Sequence, residues 1–192
     1  RYDGVTPVEE TMQALIDIVK QGKALYVGIS KYPPAQAKIA YEMLRAAGVP
    51  CLISQYRYSM FDRTVEEKSL PLAAEQGSGF IAFSPLAQGL LTKKYLHGIP
   101  EHSRAARSTG FLKVDQVTED KVGKARRLDE IAARRGQTLA EMALAWVLKD
   151  ERMTSVIVGT SSVKQLADNL HALDNLNFTN EELAEIEGIL RL

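Results

Sequence analysis

Apolar positions along the chain switch repeatedly between a helical period and short continuous runs. Val8, Met12, Leu15, Ile16 and Val19 recur at helical spacing. Thr6-Pro7-Val8-Glu9 before them predicts a start, with Thr6 as cap, Pro7 at the first helical position and Glu9 closing a capping box. Gly22 predicts the end of that helix, and the run Ala24 to Ile29 then reads as a buried strand. The cycle repeats with a helix from Ala35 to Ala47, stopped at Gly48-Val49-Pro50, and a strand from Cys51 to Ser54. A third round gives a helix from Val65 to Gln76, a stop at Gly77 and a strand from Phe80 to Phe83. After an irregular stretch from Pro85 to Val117 come two helices, at about 118–135 and 138–149. The second of these opens on a capping box, Thr138 to Glu141. Ser155 to Val158 is a fourth strand and Ser162 to Ala172 a helix, with Val163, Leu166 and Leu170 as its expected buried stripe. A last helix follows Thr179, boxed by Glu182.

Strands that alternate with helices and are apolar throughout, rather than every second residue, predict a parallel α/β architecture with both sheet faces covered. Residues 1–192 read as one domain without linker or low-complexity segment. Four strands fall short of the eight in a (β/α)8 barrel, which typically needs about 250 residues. The chain also opens at Arg1, without an initiator methionine and directly before a helix, so it reads as the second half of something longer.

Composition narrows the function classes. Twenty-four basic side chains balance 24 acidic ones, which gives no support for a nucleic-acid or membrane-surface partner. No apolar run approaches the roughly 18 residues of a membrane span, and no signal-peptide pattern opens the chain. Cys51 is the single cysteine, which excludes a disulfide framework and fits a reducing, cytoplasmic setting. His97, His102 and His171 are too dispersed to suggest a histidine metal site.

The expected strands end on small or polar residues: Ser30, Gln55, Ser84 and Ser161. Parallel α/β folds meet their ligands at such ends. Taken singly, each also reads as a helix or loop cap. The last unit runs through Gly159 and Thr160 into Ser161, Ser162 and a helix, where free N–H groups favour an anion. Gln165 and Asn169 lie four apart beside that start and suit a base or ribose; a plain capping box from Ser162 to Gln165 is the alternative. Between positions 93 and 113 the irregular stretch carries Lys93, Lys94, Arg104, Arg107 and Lys113 against Glu101 alone. That imbalance suits a phosphorylated ligand, and a solvated surface loop is the competing reading. No GxGxxG, Walker, HExxH, CxxC or GxSxG pattern occurs.

The strings at these strand ends carry a resemblance. Tyr26 to Ser30, Ser54-Gln55, Phe83-Ser84-Pro85-Leu86-Ala87-Gln88-Gly89-Leu90-Leu91-Thr92 through Lys94-Tyr95, and Gly159-Thr160-Ser161 with Gln165 and Asn169 resemble the aldo-keto reductase family. The likeness runs over essentially the whole chain. It is strongest to the bacterial glyceraldehyde-3-phosphate and methylglyoxal reducing branch, which is similar to the β subunits of voltage-gated potassium channels. The resemblance implies the C-terminal half, the last four βα units, of a (β/α)8 TIM barrel that binds NADP(H) without a Rossmann fingerprint. It implies that Ser30 and Gln55 hydrogen-bond the nicotinamide carboxamide and that Phe83 lies against the nicotinamide ring. Ser84, Leu86, Gln88 and Gly89 would line the pyrophosphate path, with Lys94 and Arg104 clasping the phosphates. Gly159, Ser161, Gln165 and Asn169 would hold the adenosine end. Lys31 stands where many members carry Asn or Arg, and Asp168 where a Glu commonly contacts adenine.

The family reduces small aldehydes and ketones with a catalytic Tyr, Lys, Asp and His on the first half of the barrel. The resemblance therefore assigns no catalytic residue to this chain; Tyr56 and Tyr58, just past a strand, read as core or rim packing, with a place lining the substrate pocket as the alternative. The activity it implies is NADPH-dependent carbonyl reduction, with this chain as the cofactor-binding half. The alternatives are an NADP(H)-binding sensor or subunit without turnover, and a half-barrel that pairs with another copy as a homo-oligomer to cover its open strand edges.

Overall fold

The computed structural model describes residues 1–106 and 111–192. They gather into two compact units. The first comprises Arg1–Arg57, Arg63–Phe83 and Glu151–Ser155; the second comprises Tyr58–Asp62, Ser84–Asp150 and Val156–Leu192.

In the first unit helices α1 (Val8–Lys20), α2 (Pro34–Ala46) and α3 (Ser69–Glu75) accompany strands β1 (Val27–Ser30), β2 (Cys51–Arg57) and β3 (Gly79–Phe83). With β4 (Met153–Ile157) they form a sheet that is four-stranded among the described residues, in the order β1-β2-β3-β4. β1 runs parallel to β2, and β2 to β3, as the alternation of strand and helix predicts.

The strands do not have both faces buried, as the apolar runs suggested. Ile29, Ser54, Tyr56, Phe80 and Ala82 are buried on the side where α2 and α3 pack. Ser30, Gln55, Ile81 and Phe83, on the opposite side, stay half-exposed within this unit. The buried side holds a chain of hydroxyls: Tyr41 Oη lies 2.6 Å from Ser54 Oγ, which lies 3.1 Å from Ser78 Oγ. Ser78 in turn donates to Cys51 Sγ at 3.8 Å. Tyr56 stacks on Phe80 at 5.1 Å and donates its hydroxyl to the Tyr32 carbonyl at 2.7 Å. It is therefore a core residue.

Local chemistry moves several expected boundaries. Thr6 does not cap α1, because Asp3 claims it: the Thr6 hydroxyl donates to Asp3 Oδ2 at 2.7 Å, and the Val5 and Thr6 N–H groups donate to Oδ1. The cap position falls to Pro7, with no side-chain bond. Leu25 and Tyr26 are exposed and precede β1, rather than opening it. α3 begins at Ser69 rather than Val65. Pro71 explains this, since a proline is tolerated in the first helical turn but would interrupt a helix already under way. β4 begins at Met153, two residues before the expected start.

The second unit is helical: α4 (Glu119–Arg134), α5 (Leu139–Leu148), α6 (Val163–Leu170) and α7 (Asn180–Arg191). α4 packs on α5 and α7, and α5 on α6. α5 is buried nearly all round, from Leu139 to Val147, and Trp146 rests on Tyr58 with ring centres 5.7 Å apart. The capping boxes at Thr138/Glu141 and Thr179/Glu182 both form. The expected buried stripe of α6 does not: Val163, Leu166 and Leu170 are exposed. Asn169, and Ala172 just beyond the helix, are buried instead, so α6 packs along a polar and small edge.

Arg135 ties this unit together. Its guanidinium reaches Glu182 Oε2 at 2.6 Å, the Asn177 carbonyl at 2.9 Å and Gln137 Oε1 at 2.9 Å. It also lies 3.7 Å above the Phe178 ring, and its side chain is 2% exposed. Among the described residues no helix is long and apolar enough to cross a membrane, and no group of acidic, histidine or cysteine side chains is arranged to hold a metal.

Three outcomes follow from this packing. A Cβ on Gly28 would sit 2.6 Å from the Ile53 carbonyl oxygen, at the register shift between β1 and β2. Gly28→Ala is expected to cost about 2 kcal/mol or more by denaturant titration; an unchanged midpoint would contradict that contact. Arg135→Lys should lose about 2–3 kcal/mol, because one ammonium cannot replace the fork and leaves Glu182 and carbonyls unserved. Cys51 is buried, and burial pushes its thiol pKa up. Alkylation of the native chain at pH 8 should therefore run at less than about a tenth of the rate in urea.

Candidate functional site

Ser30, Gln55 and Phe83 of the expected site residues lie in the first unit and the others in the second, and each group is described in its own frame. In the first unit, Ser30 ends β1 directly opposite Gln55 of β2, and Gln55 pairs in register with Ile81 of β3. Phe83 pairs with Arg57, one pleat further along. Period-two alternation thus puts Ser30, Gln55 and Phe83 on the same half-exposed face. The Ser30 hydroxyl donates to Gln55 Oε1 at 3.2 Å. That bond spends the amide oxygen and leaves Gln55 Nε2 to donate and the Ser30 oxygen to accept. One donor beside one acceptor is the complement of a primary carboxamide.

In the second unit, a cleft of about 570 Å³ is formed by the stretch after β3, the Lys94–Arg104 segment and the residues from Ile157 to Gln165. Its first wall is strained. Ser84, Ala87 and Gln88 hold positive φ of 54, 47 and 64°, and Gly89 follows at 103°. Ala87 N–H donates to the Ser84 carbonyl at 2.9 Å, and Gly89 N–H to Leu86 at 2.8 Å. Buried Ala87, Leu90 and Leu91 anchor the turn. Thr92 then donates to the Gly89 carbonyl at 2.7 Å and accepts from Lys94 N–H at 3.2 Å, which starts the short 3-10 turn Lys93–Tyr95.

The second wall is built on alternation. Ser103 N–H closes a turn on the Pro100 carbonyl at 2.9 Å. Ala105 N–H donates to the buried Tyr95 hydroxyl at 3.4 Å. Ser103 and Ala105 are buried, while His102 and Arg104 are exposed and line the cleft. Opposite them is Gly159, where a side chain would begin only 3.7 Å from Arg104 Nη2. Ser162 caps α6 by accepting from Gln165 N–H at 3.2 Å. The reciprocal half of that box is not made, because Gln165 Oε1 accepts from Ser161 N–H at 2.9 Å and from the Ser161 hydroxyl at 3.2 Å. Gln165 therefore offers only its Nε2 donors to the cleft.

Of the expected residues, Ser84, Leu86, Gln88 and Gly89 line the cleft with Lys94 and Arg104, and so do Gly159, Ser161 and Gln165. Asn169 does not line it. It sits one turn beyond Gln165, 8% exposed, with its Nδ2 buried and unpartnered among the described residues. The other loop cations divide. Lys93 is 3.5 Å from Asp129, and Arg107 falls outside the described residues. Asp168 is held by Lys164 at 3.0 Å on the surface of α6.

Among the described residues, no carboxylate lines the cleft, while Lys94, His102 and Arg104 do. Such a cavity favours an anion with several acceptor oxygens. Thr92, Tyr95, His102 and Thr160 are polar lining residues to which the sequence reading gave no role. A count restricted to Lys and Arg omits histidine; the in-out alternation of residues 102–105 is the signal that finds it.

The chain is 48% identical over 191 residues to an L-glyceraldehyde 3-phosphate reductase of Escherichia coli O157:H7, covering 97% of this chain and 55% of the relative. It is 47% identical over the same length to the L-glyceraldehyde 3-phosphate reductase of Escherichia coli strain K12. The chain thus spans about half the length of these curated relatives, and its parallel sheet with helices is that of a partial TIM barrel. The family model described as "Aldo/keto reductase family" matches residues 1–191, and the chain belongs to that family.

Proposed function

We propose that this chain supplies the NADP(H)-binding half of a reductase that converts small aldehydes and ketones to alcohols. The observation that carries the reading is the carboxylate-free cleft bearing Lys94 and Arg104 beside the Gly159–Ser161 turn. Similarity to L-glyceraldehyde 3-phosphate reductases supports a carbonyl substrate, and the setting of lone, buried Cys51 suits a reducing cytoplasm.

Each unit, taken by itself, carries groups that suit a part of such a cofactor. The paired Ser30 and Gln55 present the acceptor and donor that a carboxamide needs. Gln165 lines the cleft with its Oε1 taken by Ser161, and keeps Nε2 as a donor for the adenosine side. When bound, a reduced nicotinamide supplies hydride to a carbonyl carbon.

The work of this chain is orientation. Ser30 and Gln55 fix which face of a carboxamide-bearing ring is presented, and Phe83 on the same sheet face gives that ring an apolar neighbour. Lys94 and Arg104 neutralise phosphate charge, and the fixed Ser84–Gly89 backbone keeps the path narrow. The proton that completes an alcohol comes from outside this chain in our reading. Several of its buried tyrosines are committed: Tyr41 is bonded to Ser54, and Tyr56 donates to the Tyr32 carbonyl, with burial pushing its hydroxyl pKa far up. Tyr58 packs on Trp146, and Tyr95 holds Ala105.

Arg104→Ala should raise the dissociation constant for NADPH by about 10- to 100-fold, the loss of one charge-assisted contact worth about 1.5–3 kcal/mol. NADH, which lacks the extra phosphate, should lose less than about threefold. Equal losses for both cofactors in fluorescence titrations would remove Arg104 from recognition of the extra phosphate.

A further inference from the structure

We propose that two copies of this chain close into one eight-stranded ring, the β1 edge of each meeting the β4 edge of the other. The inference stands apart from the cofactor reading and begins from the sheet. β1 and β4 are its outer strands among the described residues. An open edge is a ready template for another strand, and charged side chains or prolines commonly block it. Val27-Gly28-Ile29-Ser30 and Met153-Thr154-Ser155-Val156-Ile157 contain neither. Leu25 and Tyr26, next to β1, are 82% and 69% exposed. Thr154, Ser155 and Ile157 of β4 are exposed as well.

Strand number and direction select the occupant. A parallel sheet covered by helices closes at eight strands, with an interior just wide enough for side chains to fill. One copy supplies four. A two-fold axis along the barrel keeps all eight strands parallel and makes two identical seams, so that no edge stays open. Pairing β1 with β1 of the partner would instead run antiparallel and leave both β4 edges unpaired. Closure also turns Ser30, Gln55, Ile81 and Phe83, half-exposed on one sheet face, into the lining of an enclosed interior.

The second unit, taken by itself, points the same way. A barrel helix packs over its own strand and the next, and α6 follows β4, after which one copy has no further strand. The apolar stripe of α6, Val163, Leu166 and Leu170, is exposed, and so is Leu173 just beyond it. With Leu25 and Tyr26 these side chains offer on the order of several hundred Å² in each copy, the scale of the roughly 800 Å² that each partner gives to a stable interface. A half that brings the proton donor needs the same two edges, so self-pairing and assembly of the reductase exclude each other.

The test is sedimentation equilibrium of the 192-residue chain, which should approach twice the 21.2 kDa of one copy at high concentration. Leu25→Lys with Tyr26→Lys at one edge, and Ser155→Lys with Ile157→Lys at the other, should each raise the dimer dissociation constant more than about tenfold. Each pair acts alone because every seam uses one edge of each kind. All four positions are exposed in a single copy, so the variants should keep the circular dichroism of the monomer. Hydrogen exchange on the unaltered chain is the second readout: β1 and β4 amides should gain protection as the dimer forms. A chain that stays monomeric, or that grows into open polymers, would overturn the ring. So would a dimer that only one of the two variants dissociates, or one that forms without protecting both edges.

Discussion

Left-handed backbone costs an L-residue about 1–2 kcal/mol, and Ser84, Ala87 and Gln88 hold it within a stretch of five residues. Strain of that size persists only where surrounding contacts over-determine it. Here the fixing contacts are Ala87, Leu90, Leu91 and Tyr95 in the core, with Thr92 bonded back to the Gly89 carbonyl. The rest of the cleft depends on this turn. It sets where Thr92 begins the next short helix, hence where Lys94 projects and where Tyr95 stands to receive Ala105. A relaxed turn of the same composition would leave these side chains without a common cavity.

A similar economy operates in the first unit by different means. There the pleat of a parallel sheet, rather than a strained turn, selects which side chains meet. Ser30, Gln55 and Phe83 come from three strands and share a face because register and period two place them there. The hydrogen bond from Ser30 to Gln55 then settles which atoms remain to donate and accept. In both units the backbone decides the geometry and the side chains supply only charge and polarity.

What could be read from the sequence was what local chemistry decides. The boxes at Thr138 and Thr179 were legible because cap and partner are three residues apart with no competitor. The same logic failed at Thr6, where Asp3 sits equally near and accepts from three donors at once. Continuous apolarity in the strands identified them but not the exposure of one sheet face, since burial depends on what packs opposite. The stripe on α6 was misread for the same reason: periodicity finds an apolar face but does not say that another element covers it. Nine of the expected ligand contacts gather in one cleft, found through short strings that also carry the family likeness. His102 escaped because its neighbourhood is made by a turn and a tyrosine hydroxyl, neither of which leaves a periodic mark.

The dry setting of Arg135 has a further consequence. Mobile ions screen exposed charges beyond about 8 Å at physiological ionic strength, but they act weakly on buried pairs. The guanidinium that joins α4, the Asn175–Phe178 segment and Glu182 is almost wholly enclosed, whereas Lys94 and Arg104 face solvent. Salt therefore reaches the charges that line the cleft and spares the one that holds the helices. The molecule keeps its cleft electrostatics and its structural electrostatics on separate circuits, and ionic strength can dim the first while the second stays lit.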